Sequence, residues 1–466
     1  MQLLLMDNWT GQASIKAVII IFLIAIFILF NIFRLPAEFS LIFTLALVIF
    51  IISFIKTDFA LIILIFSMFF SPEIKIGAVT GRTVVLRADD IFLIVVFLGW
   101  LAKMAVNKEL GFLKTTSLNV PILTYIFICI VSTFLGAARG YIKLHVSIFY
   151  VLKYFEYFLI FFMVTNNLKN TKQIKTLISC FILVCFVLSV YGWIQHFSGI
   201  QRVTAPFEGK AGEANTFGGY LILLIMVITG LLLNLSSFKI KVSLLVVLFF
   251  TLPTFLFTLS RGSWLGFIPA SAALILLTKR GKLLLFFISI FVILLYPVIL
   301  PNYVRQRIES TFQKGEEFTF LGKRVQLEES AAIRLETWKF AFRKWLKEPL
   351  IGYGVGSTIP VLDNQYARII IEVGFLGLMA FVWLLISIYT SALSNYLQLK
   401  NDRFAQGITA GFIAGFIGLL VHAFSAETFI IIRIMEPFWF LAAIVTMLPE
   451  VYYQEGFDIA ARRKEG

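Results

Sequence analysis

Residues 217–233 read FGGYLILLIMVITGLLL, a run of apolar and small residues without a single charge. A helix needs about 20 predominantly apolar residues to cross the hydrocarbon core of a bilayer, and this run with its flanks meets that need. We count fourteen apolar stretches along the 466-residue chain. Since 60% of the residues are apolar and only 14% are charged, the composition predicts a polytopic membrane protein and excludes a soluble enzyme with a tail anchor.

The apolar stretches predict an all-α protein with about 12–14 transmembrane helices. The first eleven helices, joined by short loops, are expected in residues 1–300. A large loop with an amphipathic helix is expected in residues 301–365. Three more helices would follow in residues 366–448, and residues 449–466 would form a cytoplasmic tail. The predicted spans are Val18–Phe33, Leu41–Ile55, Phe59–Phe70, Ile91–Val106, Pro121–Gly136, Val146–Val164, Leu177–Phe197, Phe217–Leu233, Leu244–Leu259, Trp264–Leu277, Leu283–Leu300, Ile369–Leu393, Ile408–Phe424 and Phe429–Leu448.

Lysines and arginines in the short loops predict the orientation, because such loops carry positive charge on the cytoplasmic side. Alternate short loops are basic, for example residues 169–175, 239–241 and 279–282. The tail, with Arg462 and Arg463, continues the alternation. Both termini are therefore expected in the cytoplasm, and the loop 301–365 on the outer face. Comparison of the two halves reveals no internal repeat, which disfavours a secondary transporter.

Polar residues gather in four segments that this topology places on the outer face. They are Arg202–Asn215, Ser260-Arg261-Gly262, the segment around Arg334, and Asp363-Asn364. Arginine suits a diphosphate because its planar guanidinium is always charged and donates paired hydrogen bonds to phosphate oxygens. Three arginines could hold one pyrophosphate. The alternative is that each arginine anchors a helix end or meets lipid headgroups.

Charges inside the spans are expected to be paired, because an isolated charge is costly in the membrane. Three pairs have the spacing of one helix face: Lys153 with Glu156, Arg368 with Glu372, and Arg433 with Glu436. We interpret them as structural pairs. Glu372 also remains a candidate for substrate binding, because it lies about two turns below Asp363 on the same predicted span.

The helix predicted around Arg334 carries Leu335, Trp338, Phe342 and Trp345 on one face. It is expected to lie on the membrane surface or, equally, to pack against other loops. His422 closes a span near the outer face, where a single histidine is more often structural than catalytic. Cysteines and histidines are few and scattered, and neither a metal nor a cofactor is predicted.

Taken in order, the segments resemble the O-antigen ligase and O-antigen polymerase superfamily of bacterial membrane glycosyltransferases. The resemblance rests on RADDIFLIVVFLGWL (87–101), KYFEYFLIFF (153–162), EANTFGGYLILLI (213–225), TLSRGSWLGF (258–267), RLETWKFAFRKWLKEPLIGYGVGS (334–357) and DNQYARIIIEVGFLGLMAF (363–381). It implies a GT-C-like fold in the bacterial inner membrane, with the active site facing the periplasm or the cell exterior. The implied donor is an undecaprenyl-diphosphate-linked glycan, gripped by the arginines that match Arg202 and Arg261, with Arg334 in the outer-loop motif.

One position departs from the family pattern. Ligases usually carry a histidine where this sequence has Asp363. An aspartate could accept the proton of an acceptor hydroxyl if burial raised its pKa, or it could orient the acceptor sugar. The aspartate at this position favours a polymerase, which uses an acceptor glycan, over a ligase, which uses lipid A-core.

The expected reaction is therefore a metal-independent, inverting transfer of the hexosyltransferase type. Arg202, Arg261 and Asp363 are predicted to be catalytic, and Arg334, Asn364, Glu372, His422 and Asn215 to bind substrate. Membrane lipids are expected partners and nucleic acid is not. A transporter or flippase for the same lipid-linked glycan and a structural scaffold remain the alternatives.

Overall fold

The computed structural model describes residues 24, 28, 37–71, 73–79, 82–106, 113–207, 213–278, 281–282, 304–306, 316–320, 323–327, 329–358 and 363–465. The predicted spans Val18–Phe33 and Leu283–Leu300 lie outside the described residues, apart from two positions of the first. The described chain divides into two compact units, one from residues 1–64 and 89–111 and the other from residues 65–88 and 112–466.

Helices account for nearly all of the regular structure that is described. They are α1 (Ala37–Ile55), α2 (Thr57–Phe70), α3 (Ala88–Val106), α4 (Asn119–Ala138), α5 (Leu144–Asn167), α6 (Thr171–Phe197), α7 (Ala214–Asn234), α8 (Phe238–Phe257), α9 (Arg261–Leu277), α10 (Glu329–Trp345), α11 (Gln365–Glu372), α12 (Gly374–Gln398), α13 (Arg403–His422) and α14 (Ile432–Glu465). Among the described residues, eight helices are long and apolar enough to span a membrane, and three further apolar helices are shorter. The predicted polytopic helical class is confirmed.

Two antiparallel hairpins add to the helices, and the sequence analysis did not predict them. Strands β1 (Glu73–Val79) and β2 (Arg82–Arg87) form one, and β3 (Glu316–Phe320) and β4 (Lys323–Leu327) form the other. Each has only two strands, so the hairpins are minor additions to the helical class.

In the first unit, α3 contacts α1 and the first residue of α2. The hydroxyl of Ser53 donates to the carbonyl of Val96 at 2.8 Å. Nζ of Lys103 donates to the hydroxyl of Thr57 at 3.1 Å. These contacts pair polar side chains that would otherwise be costly inside an apolar bundle.

The core of the second unit is the packing of α7 against α13. Gly407, Gly411 and Gly415 recur every four residues on α13 and let the two backbones approach closely. A Cβ at Gly411 would lie 2.5 Å from the carbonyl oxygen of Met226, and one at Gly230 would lie 2.3 Å from that of Gly407. The sequence analysis did not identify this small-residue stripe, although its spacing is visible in the sequence.

The close approach gives a stability prediction. We expect Gly411→Ala to lower the free energy of unfolding by about 1–3 kcal/mol, because the new methyl group meets backbone that cannot move aside cheaply. Gly456→Ala is the matched control, since nothing lies within 4 Å of a Cβ there. In a helix that exchange should stabilise by about 0.5–1 kcal/mol. Denaturant titration in detergent measures both, and equal effects would contradict the packing argument.

The predicted span Ile369–Leu393 is wrong in one respect, because the structure divides it into α11 and α12. Gly374 has a φ of +65° at the break. The chain after α10 inserts there: the amide of Tyr353 donates to the carbonyl of Ile371 at 3.0 Å, and that of Phe375 to the carbonyl of Pro349 at 2.8 Å. These bonds satisfy backbone groups that the break exposes. The predicted tail 449–466 also differs, since α14 continues to Glu465.

Hydrogen bonds within the second unit show that the loops between its helices lie in two groups, one at each end of the helices. We call one the arginine end and define it by residues 198–207, 258–260, 346–358 and 423–431. At the opposite end, Lys114 pairs with Glu450 at 2.9 Å and Thr171 contacts Glu455. The contacts therefore agree with the predicted alternation of connections, while the side of the membrane that each end faces stays a prediction.

Candidate functional site

The segment 201–207 at the arginine end carries Arg202. Its front half is held to neighbouring helices: the amide of Val203 donates to the carbonyl of Phe257 at 3.1 Å. The amide of Thr204 donates to Oε1 of Gln195 at 2.9 Å. Nε of Arg202 approaches the carbonyl oxygen of Thr258 at 3.5 Å. The segment thus lies against the C-terminal end of α8, a few residues before Arg261.

Arg261 is the first residue of α9, and a polar cluster fixes the start of that helix. Ser260 is the N-cap, and its hydroxyl accepts from the amide of Ser263. The same hydroxyl donates to Oδ1 of Asn215 at 2.7 Å. The predicted substrate residue Asn215 therefore contacts the residue next to Arg261, at the first turn of α7. The sequence places Ser260 here because serine is a preferred helix cap.

Both arginine segments contain backbone that non-glycine residues rarely adopt. Among the described residues, Phe207 with φ +61° and Leu259 with φ +49° are the non-glycine positions with positive φ. Such conformations are costly and persist only where surrounding contacts impose them. Phe207 follows Arg202 in its segment and Leu259 precedes Arg261. The backbone near the two predicted catalytic arginines is therefore restrained by its surroundings.

Electrostatics indicate that the two arginines share one region. Partial burial of the guanidinium and, second, the positive charge of Arg261 lower the pKa of Arg202. Two positive charges in one region favour the binding of an anion. The structure thus brings Arg202, Arg261 and Asn215 together, as the sequence analysis predicted for one anionic group.

His422 lies deeper than the sequence analysis expected. It ends α13, is fully buried, and its Nδ1 lies 2.8 Å from the hydroxyl of Thr428. A Cβ at Gly262 would come within 3.9 Å of its ring, so the imidazole sits beside the first turn of α9. Because no surface of His422 is open to solvent, its geometry favours a structural role over direct contact with substrate.

The turn 423–431, which follows His422, is fastened to the start of α11. The amide of Gln365 donates to the carbonyl of Ala423 at 3.0 Å, and the amide of Phe429 donates to Oε1 of Gln365 at 3.0 Å. Asp363, two residues before the helix, is exposed, so the burial on which its predicted role as a base depended is not observed. The predicted base thus stands at the edge of the segment that holds the turn.

Asn364 is a helix cap. Its Oδ1 accepts from the amide of Ala367 at 2.9 Å, and its Nδ2 donates to the carbonyl of Phe424 at 2.9 Å. The side chain is 1% exposed. Both the oxygen and the nitrogen of this amide are hydrogen-bonded next to Asp363, and the contact with substrate stays a prediction.

A cap comparison tests whether this cap positions Asp363. We expect Asn364→Ala to lower stability by about 1 kcal/mol and also to lower activity, because it frees the backbone next to Asp363. Asn170→Ala is the control: Asn170 caps α6 in the same way, far along the chain from the arginine segments. It should lower stability by a similar amount and leave turnover unchanged. Equal losses of turnover in both variants would contradict the role of Asn364.

Glu372 has three protein partners at one of its carboxylate oxygens. Its Oε1 accepts from the amide of Gly356 at 3.0 Å and from the hydroxyl of Thr358 at 2.6 Å. Nε of Arg368 lies 3.1 Å away, with both side chains at most 3% exposed. The predicted structural pair Arg368–Glu372 is confirmed. These contacts occupy Oε1, and the binding of substrate by Glu372 stays a prediction.

Arg368 extends this pair to a second carboxylate. Its Nη1 lies 2.6 Å from Oε2 of Glu427, in the turn 423–431, and its guanidinium lies over the ring of Tyr150. The network therefore links the glycine-rich turn at 352–358 to the turn after His422. The sequence analysis missed Glu427, because only the fold brings it to Arg368.

The outer-loop motif is helical as predicted, and its described part reaches the same network. Arg334 belongs to α10, but its side chain lies outside the described residues. Later in α10, Nζ of Lys344 donates to the carbonyl of Ser357 at 3.3 Å and lies 4.9 Å from the ring centroid of Tyr353. Partial burial lowers the pKa of Lys344, although the charge of Glu372 opposes that shift.

Comparison with protein families identifies part of this chain. Residues 244–382 match the family model described as O-antigen ligase. The match contains Arg261, Arg334, Asp363, Asn364 and Glu372. It ends before His422 and begins after Arg202 and Asn215, which join the matched region through the fold. No curated protein matches the chain.

Proposed function

We propose that this chain, whose residues 244–382 match the O-antigen ligase family model, is a glycosyltransferase that uses a lipid-diphosphate-linked glycan. The observation that carries this proposal is the shared position of Arg202 and Arg261, because Nε of Arg202 lies 3.5 Å from the carbonyl oxygen of Thr258, three residues before Arg261. Such a pair suits a dianionic leaving group better than any neutral ligand.

The proposed donor is an undecaprenyl-diphosphate-linked glycan on the outer face of the inner membrane. Nucleotide sugars are cytoplasmic, so a transferase on the outer face needs a donor that arrives already activated. A lipid diphosphate provides both the activation and the anchor. The N-termini of α7 and α9, which begin at Ala214 and Arg261, add positive dipole ends to the two guanidinium groups.

The proposed reaction is a direct displacement at the anomeric carbon. An acceptor hydroxyl oxygen bonds to that carbon as its bond to the diphosphate oxygen breaks, and the lipid diphosphate leaves with the electron pair. Arg202 and Arg261, with Arg334 as a third candidate, stabilise the charge that grows on the leaving group. The hydroxyl proton passes to Asp363, or to water if Asp363 instead orients the acceptor. One displacement inverts the anomeric configuration.

The remaining predicted residues receive positioning roles. Asn215 fixes Ser260 beside Arg261, and Asn364 fixes the backbone that carries Asp363. Glu372 holds the turn at 352–358. His422 orders the turn 423–431 through Thr428.

An acceptor assay tests the function. Purified protein in detergent is incubated with lipid-linked repeat units alone and then with added lipid A-core, and the products are separated on a gel. We favour a polymerase, which makes a ladder without added acceptor. Product only in the presence of lipid A-core would identify a ligase instead. No product under either condition would overturn the glycosyltransferase proposal and favour a flippase for the same lipid.

A further inference from the structure

Arg433 makes an unusual pair of contacts to the segment that carries Arg202. Its Nη1 donates to the carbonyl of Pro206 at 2.6 Å, and its Nη2 donates to the carbonyl of Phe207 at 3.1 Å. The side chain is 3% exposed. The sequence analysis paired Arg433 with Glu436 on their own helix, whereas the fold directs the guanidinium fork across to two successive carbonyls.

These contacts hold the strained half of the segment. Val203 and Thr204 fasten its front half to Phe257 and Gln195. Its rear half ends at Phe207, whose φ of +61° is rarely adopted by a phenylalanine. A backbone in that conformation needs an external restraint, and Arg433 provides one at this carbonyl.

We propose that Arg433 is a positioning residue that holds segment 201–207 in the shape that presents Arg202 to the donor diphosphate. The inference rests on the proposed function for what Arg202 binds, whereas the restraint itself does not depend on it. Arg433 acts through the backbone of the segment, because its fork is already directed at carbonyl oxygens.

The guanidinium geometry explains why the restraint needs arginine. Its donors are fixed in one plane and match two neighbouring acceptors at once. The lysine in Arg433→Lys keeps the charge but presents a single ammonium on a flexible stem, so it cannot hold two successive carbonyls in the same way. Arg433→Lys therefore removes the restraint on segment 201–207 while keeping the positive charge.

The first test measures the restraint without using activity. Ala205 is buried within the segment, at 2% exposure, so Ala205→Cys introduces a protected thiol. Cys180, which is partly exposed, is replaced by serine. The buried Cys129 and Cys185 remain as internal reporters of the fold. In the Arg433→Lys background we expect maleimide to label position 205 about tenfold faster, because losing one charge-assisted hydrogen bond opens the segment by roughly that factor.

The second test asks whether Arg433 acts through Arg202. Arg433→Lys should lower kcat/KM for the lipid-linked donor by about tenfold to a hundredfold, since small misplacements of a binding group have effects of that size. In the Arg202→Ala background the same substitution should have almost no further effect. Arg403→Lys, at an exposed arginine that begins α13, is the matched control and should leave donor turnover unchanged.

The outcomes separate the inference from the proposed function. Equal labelling of position 205 with arginine and lysine at position 433 would overturn the restraint, and so would equal losses of turnover with and without Arg202. Faster labelling of Cys129 and Cys185 would show general loosening of the fold, which also contradicts a local role. A wild-type protein that makes no product would overturn the glycosyltransferase proposal alone, because the labelling comparison requires no turnover.

Discussion

Replacement of Arg261 by alanine is expected to lower glycosyl transfer by about a hundredfold to a thousandfold. That range corresponds to about 2.7–4 kcal/mol, the usual cost of removing a preorganised donor from a developing negative charge. Arg261 begins α9 beside a serine cap, and its backbone contacts do not depend on the guanidinium. The loss should appear in turnover with lipid-linked repeat units, and the unfolding midpoint of the same sample separates it from a loss of folded protein.

A matched arginine elsewhere in the chain provides the control. Arg403 also begins a helix, and its cap Asp402 accepts from the amide of Ala405, just as Ser260 accepts from the amide of Ser263. Arg403→Ala should leave turnover unchanged. Arg261→Lys should recover little activity, because lysine lacks the paired donors. Full activity of that lysine variant would refute two-pronged binding of the diphosphate.

Replacement of Glu372 by alanine is expected to cause the largest loss of stability, about 3–5 kcal/mol. That is the typical cost of breaking a buried ion pair by removing one partner. The change would leave the guanidinium of Arg368 with Glu427 as its remaining carboxylate partner among the described residues. It would also remove the acceptor for the amide of Gly356 and the hydroxyl of Thr358. Denaturant titration in detergent measures the loss.

An exposed ion pair at the same end provides the comparison. Oε2 of Glu348 lies 2.6 Å from Nη1 of Arg139, whose side chain is 45% exposed. Exposed pairs contribute at most about 1 kcal/mol, so Glu348→Ala should have a much smaller effect than Glu372→Ala. If both variants lowered the free energy of unfolding equally, burial would not explain how much the ion pair of Arg368 and Glu372 contributes to stability.

The sequence predicted features that depend on local pattern. Apolar runs place most of the helices, because a bilayer demands long apolar stretches. Spacing along one helix correctly predicted the ion pair Arg368–Glu372. The amphipathic helix α10 also lies where its periodicity indicates.

The sequence could not predict contacts between distant segments. Arg433 has an acidic residue three positions later, yet its guanidinium donates to carbonyls 226 and 227 positions away in the chain. The break between α11 and α12 depends on a loop that supplies partners for the freed backbone groups. Backbone carbonyls carry no sequence signature as acceptors, so neither contact could be inferred from residue types.

The link between Arg433 and segment 201–207 has a consequence for biosynthesis. Its two ends are separated by more than two hundred residues, and the guanidinium belongs to a helix that is synthesised after α7, α8 and α9. A ribosome-bound chain that has inserted α7 to α9 already carries Arg202 and Arg261 but lacks this restraint. The contacts of Arg433 with segment 201–207 therefore form only after α14 has been synthesised. On the proposed function, a nascent chain would therefore hold both arginines before it could position Arg202 for the donor.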